Sequence, residues 1–85
     1  MSYHVELMPE ALKSFDALDK MVAQRVLRKL EWLADNFEDT SPELLAGELK
    51  GLFKLRIGDY RAIYSVKEKR IIIHLIGHRG DIYKR

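Results

Sequence analysis

The stretch LKGLFKLRIGDYRAIYSVKEKRIIIHLI, residues 49–76, alternates apolar with polar side chains and is cut twice by turn-forming residues, Gly58-Asp59 and Lys67-Glu68-Lys69. A period of two belongs to a strand with one buried face. Three strands are expected, over 49–57, 60–66 and 70–76, and their short turns make neighbours antiparallel. In the first, Leu49, Gly51, Phe53, Leu55 and Ile57 share the apolar side, against Lys50, Leu52, Lys54 and Arg56. In the second, Tyr60, Ala62, Tyr64 and Val66 face inward, and Arg61, Ile63, Ser65 and Lys67 outward. In the third, Ile71, Ile73 and Leu75 oppose Ile72, His74, Ile76 and His78. Gly77 permits a break, so alternation does not place Arg79.

Upstream the period changes. Tyr3, Val5 and Leu7 alternate with His4, Glu6 and Met8, which predicts one more strand. Pro9 suits the first turn of a helix, where a missing N–H costs nothing, and Leu12, Phe15 and Leu18 are spaced to share its face. Asp19 is a candidate N-cap for a second helix. Val22, Val26, Leu30, Leu33 and Phe37 recur at three and four residues, which predicts a long amphipathic helix ending near 37–38, before Thr40-Ser41-Pro42. Residues 43–47 read as a connector or a single helical turn. The order β-α-α-β-β-β implies an α+β fold of two layers, an antiparallel-rich twisted sheet with a helical hairpin on one face. Hydrophobic spacing does not say where the first strand joins the sheet.

With 85 residues and no cysteine, the chain is a single domain, residues 1–85, held by packing rather than disulfides. A chain this short buries roughly 60% of its extended surface, which leaves no room for a large organic cofactor, so none is expected. The run Ile71-Ile72-Ile73 stops at His74, far short of a membrane span, and Met1-Ser2-Tyr3-His4 does not resemble a signal peptide. A cytoplasmic protein with no membrane partner is the expectation. The net charge of +2 hides an asymmetry: residues 1–46 carry five Lys/Arg and nine Asp/Glu, residues 47–85 ten and four. A localised positive surface attracts polyanions.

On the side of the sheet away from the helices, Lys54, Arg56 and Arg61 are expected to converge, with His78, Arg79 and Tyr83 following the last strand. Such cations repel one another unless carboxylates (Glu48, Asp59, Asp81) or an anionic ligand such as phosphate offset them. If the anion is RNA, these residue types suffice for backbone cleavage without a metal, in which a 2′-OH attacks the adjacent phosphorus. Histidine as a residue type suits acid–base work near neutrality, which makes His78 a candidate, Tyr83 can orient or deprotonate the 2′-OH, and Arg61 and Arg79 can grip phosphate oxygens. Lys50, Lys84 and Arg85 would lengthen the RNA-binding track. His4, His74 and His78 show no ligand spacing with acids, so no metal is expected, and Ser65 lacks a nucleophile elbow. His74, mid-strand, reads as structural.

The blocks LKGLFKLRIGDYRAIY (49–64) and IGHRGDIY (76–83), with the β-α-α order before them, resemble the RelE/ParE superfamily of bacterial and archaeal toxins across nearly the whole chain. The RelE branch implies an mRNA interferase that cuts the codon in the ribosomal A site without metal. It also implies a cognate RelB-like antitoxin, ribosome and mRNA as partners, and a toxin–antitoxin hetero-oligomer. By position its active-site pattern falls on Lys54, Arg61, Arg79 and Tyr83, with His78 alongside. One departure is Leu52, where RelE members often carry a second lysine two residues before Lys54. The ParE branch resembles the chain in fold and poisons DNA gyrase instead. The spacing of Gly77-His78-Arg79 and Tyr83 favours RelE. A module that binds nucleic acid without cutting it, and a degenerate member kept in an antitoxin complex, are the competing classes.

Trp32 lies nearly opposite the apolar stripe of the second helix, among Arg25, Arg28, Lys29 and Asp35. Aromatic plus arginine is the composition of a binding hot spot, which makes Trp32, Arg25 and Arg28 a candidate partner surface; packing against neighbouring aliphatic stems is the structural alternative.

Overall fold

The computed structural model describes residues 3–40, 43–44 (backbone only) and 51–80. Strand β1 (His4–Leu7) is followed by helices α1 (Pro9–Asp16) and α2 (Lys20–Asn36), a 3-10 turn over Phe37–Asp39, and strands β2 (Glu43–Leu44), β3 (Phe53–Ile57), β4 (Tyr60–Lys67) and β5 (Arg70–His78). Pro9 opens α1. Asp19 caps α2, its carboxylate accepting from the Met21 N–H at 3.1 Å.

The sheet order is β1-β5-β4-β3-β2. The meander β3-β4-β5 is antiparallel, whereas β1 lies parallel to β5 with Val5 opposite Ile71 and Leu7 opposite Ile73. Parallel neighbours need a long crossover, and here it contains the helical hairpin, which therefore covers one face. Backbone bonds fix both ends of β1: Tyr3 N–H donates to Ala34 of α2 and Met8 N–H to Ile73. The core forms between Val26, Leu30 and Leu33 of α2 and Tyr64, Ile71 and Ile73 of the sheet, all buried. Each such side chain contributes about 1.5–3 kcal/mol by leaving water. Phe15, Leu18, Val22, Phe37, Val5 and Leu7 pack around its edge.

Four expectations are corrected. Leu12 is half exposed and Ala11 takes the buried place on α1. Residues 43–44 pair with Lys54 and Phe53 as a short strand rather than forming a connector or helical turn. The first strand of the meander starts at Phe53, because Gly51 sits at φ +79°, a left-handed conformation that ends extended backbone. The fourth correction governs the site. Opposite β4, Ile63 pairs with Leu75 but Tyr64 pairs with Ile73, so His74 is an extra residue in β5. A bulge of one residue reverses which face the following side chains take. Ile71, Ile73 and Ile76 all enter the core while Leu75 turns out beside Ile63.

Candidate nucleic-acid interface

The β3–β4 hairpin organises the cationic end of the sheet. Ile57 pairs with Tyr60 across the two-residue turn Gly58-Asp59, and Gly58 adopts φ +59°. A positive φ at the first central residue is where a II′ turn takes glycine. Beyond the turn, Arg56 and Arg61 are directly opposed cross-strand partners, and Lys54 is opposite Ile63 on the same face. Like charges set opposite each other destabilise a sheet unless something anionic lies between or beside them.

Arg61 is half buried and folds back on the turn: Nη1 donates to the carbonyls of Gly58 at 3.2 Å and Tyr60 at 3.0 Å. Among the described residues no bond engages its Nε and Nη2. That is the edge of a guanidinium that grips a phosphate or carboxylate in bidentate fashion. Arg79 reaches the same place by its backbone, its N–H donating to the Asp59 carbonyl at 2.8 Å. The turn thus brings together residues 18 positions apart, Arg61 and Arg79, and neither forms an ion pair among the described residues. Arg56 is exposed and Lys54 half buried; both make further interactions.

His78 does not join this group. It pairs with Tyr60 and its ring meets the Tyr60 ring edge-on at 5.6 Å between centroids. Residues paired across strands share a face, so His78 lies on the side of Tyr60 and Ile57, whereas Gly77 occupies the position facing Arg61. The bulge at His74 reversed the alternation that had aimed His78 outward with the cations. Its Nδ1 accepts the Gly80 N–H at 3.2 Å, which closes the segment carrying Arg79. Tyr83, Lys50, Lys84, Arg85, Glu48 and Asp81 lie outside the described residues.

The outward face is also less open than expected, since Ile63 is 3% exposed there, between Lys54 and Leu75. On that face Ser65 Oγ lies 2.8 Å from His74 Nε2, two side chains that strand alternation also sets outward. Their contact satisfies His74 internally, consistent with a structural role. Among the described residues no three His, Asp or Glu side chains gather closely enough to hold a metal ion, and no helix is long and apolar enough to cross a membrane.

Trp32 is half exposed as expected, with Lys29 Nζ 4.2 Å from its ring centroid. Arg25, Arg28 and Lys29 line a shallow pocket beside it.

Comparison with known proteins places this geometry in context. The family model for ParE toxins of type II toxin–antitoxin systems, parDE, matches residues 5–83. A putative RelE-like toxin protein of Escherichia coli is 30% identical over 92 residues, covering 98% of this chain and 92% of that protein. The mRNA interferase toxin RelE of Escherichia coli strain K12 is 26% identical over the same shares. Among solved structures, the RelBE2 toxin–antitoxin complex of Mycobacterium tuberculosis superposes with a TM-score of 0.82 at 24% identity, covering 95% of both chains. The archaeal RelE–RelB complex of Pyrococcus horikoshii gives 0.70 at 31% identity, covering 95% of this chain and 99% of that one.

Proposed function

Because the chain belongs to the RelE/ParE superfamily of toxins from type II toxin–antitoxin systems, we propose that it is an mRNA interferase: an endoribonuclease that cuts mRNA in the ribosomal A site without a metal. The observation that carries the reading is the shared anchoring of Arg61 and Arg79 on the Gly58-Asp59 turn, with the Nε–Nη2 edge of Arg61 unengaged. The name of the Escherichia coli RelE relative supports it.

In this reading the 2′-OH attacks the adjacent phosphorus, its proton passes to a base, and the 5′ oxygen leaves after taking a proton from an acid. A 2′,3′-cyclic phosphate and a 5′-OH result. Arg61 and Arg79 hold the non-bridging oxygens and stabilise the charge that develops on them, the largest single contribution in reactions of this kind. Lys54 adds a third cation or supplies the leaving-group proton, and Tyr83 orients or deprotonates the 2′-OH. His78, turned toward Tyr60, acts as a positioning residue by holding Gly80 and hence Arg79. A RelB-like antitoxin is the partner expected to neutralise the toxin in a hetero-oligomer, as the toxin–antitoxin complexes among its structural neighbours suggest. The site of action would then be the cytoplasm.

The match to the ParE family model favours a second reading, inhibition of DNA gyrase. Induction in cells separates the two. Arrest with mRNA cut inside translated frames, abolished by Arg61→Ala or Arg79→Ala, is the expected result. Arrest with intact transcripts and broken DNA establishes the gyrase reading, and binding of RNA without either effect points to a non-catalytic module.

A further inference from the structure

The exposed side of α2 presents Met21, Arg25, Arg28 and Trp32 at i, i+4, i+7 and i+11, a single stripe about 16 Å long. Its two ends are large apolar side chains left in water, Met21 at 73% and Trp32 at 44% exposure. Between them Arg25 and Arg28 separate two shallow depressions. One, of about 280 Å³, is lined by Met21, Gln24, Arg25 and Arg28. The other, of about 400 Å³, lies between α2 and the end of β3, with Ile57 beneath and Arg25, Arg28, Lys29, Trp32 and Arg56 around it. No carboxylate lines either one, and among the described residues Arg25, Arg28 and Lys29 form no ion pair.

We propose that this stripe docks an acidic polypeptide segment, with carboxylates on Arg25 and Arg28 and apolar side chains on Met21 and Trp32. Charge complementarity requires an anionic partner. The apolar ends distinguish a polypeptide from a nucleic acid: Met, Trp and Arg are the residue types enriched where proteins meet, and Met21 offers nothing to a phosphodiester chain. Base stacking on the covered face of Trp32 is also pre-empted by Lys29, whose ammonium sits over the ring. The inference does not depend on the nuclease reading, since Arg25 and Arg28 play no part in the cluster at Arg61 and Arg79.

Trp32 is the chain's single tryptophan, so intrinsic fluorescence reports this surface alone. The probe is a synthetic helical peptide of roughly 15 residues, with two Leu about 11 residues apart and Glu between them on the same face. Titrated into the full-length protein, it shifts the Trp32 emission to shorter wavelength and saturates. Arg25→Glu with Arg28→Glu raises the dissociation constant by at least about tenfold, as does Met21→Ser, while far-ultraviolet circular dichroism stays unchanged. The double variant acts on mRNA as the wild type does, so failure here and failure of the nuclease reading are told apart. An emission spectrum unmoved by the peptide overturns the proposal. So does saturation of the same signal by an oligouridylate that displaces the peptide, which would make the stripe a nucleic-acid surface.

Discussion

Replacing Gly58 by alanine tests the turn on which the cationic site is built. Gly58 holds φ +59°, a left-handed conformation that costs an L-residue about 1–2 kcal/mol. Space is not the obstacle: an added Cβ would meet only Arg25 Nη1, at 3.6 Å, an ordinary contact with the end of a flexible side chain. Loss of glycine's freedom in the unfolded chain returns about 0.4–1 kcal/mol, leaving a net destabilisation of about 1 kcal/mol. For 85 residues that lowers the melting temperature by about 4–8 °C. Thermal melts followed by circular dichroism, with urea titrations showing an unchanged m value, measure it. Gly58→Asn recovers part of the loss, because asparagine tolerates the left-handed region. A Gly58→Ala protein that melts with the wild type would show that the turn is not held left-handed. A loss of several kcal/mol would show that the new methyl meets something much closer than Arg25. Either result removes the geometric basis on which Arg61 and Arg79 are brought together.

At the opposite hairpin, Glu68 and Lys69 both adopt positive φ, 51° and 64°, in a two-residue turn that favours Asn-Gly. Glu68→Asn with Lys69→Gly is expected to stabilise the protein by about 1–2 kcal/mol, read as a raised urea midpoint; no gain contradicts it. The Tyr64 phenol is buried, and burial raises its pKa above the ordinary tyrosine value. The unfolded chain therefore loses that proton near pH 10 while the folded one resists, so stability falls as pH rises above about 10. Tyr64→Phe removes this component of the alkaline loss, and parallel pH profiles of the two urea midpoints would refute it. His78 separates positioning from proton transfer. Asparagine can accept the Gly80 N–H in place of Nδ1 but does not titrate, so His78→Asn retains cleavage and its pH profile whereas His78→Ala lowers it. Loss of activity in both variants would return His78 to acid–base duty.

Local periodicity carried the elements whose side chains meet only one environment. The α2 stripe, the Asp19 cap and both hairpins follow from residues a few positions apart, and the structure agrees with them. What alternation missed was non-local. The pairing of β1 beside β5 depends on residues some 66 positions away in sequence. The extra residue at His74 is defined only against β4, and it is what moved Leu75 outward and His78 to the Tyr60 side. The site shows the same division. Lys54, Arg56 and Arg61 share a face as their spacing requires. The bond from the Arg79 N–H to the Asp59 carbonyl involves only backbone atoms, so no residue type announces it.

Cleavage on purified ribosomes holding a defined mRNA asks whether Arg61 and Arg79 perform the proposed reaction. The expected products are a cut within the A-site codon carrying a 2′,3′-cyclic phosphate and a 5′-OH, formed roughly a hundredfold more slowly by Arg61→Ala. Intact mRNA after incubation with folded toxin, or cleavage undiminished in both Arg61→Ala and Arg79→Ala, would contradict it.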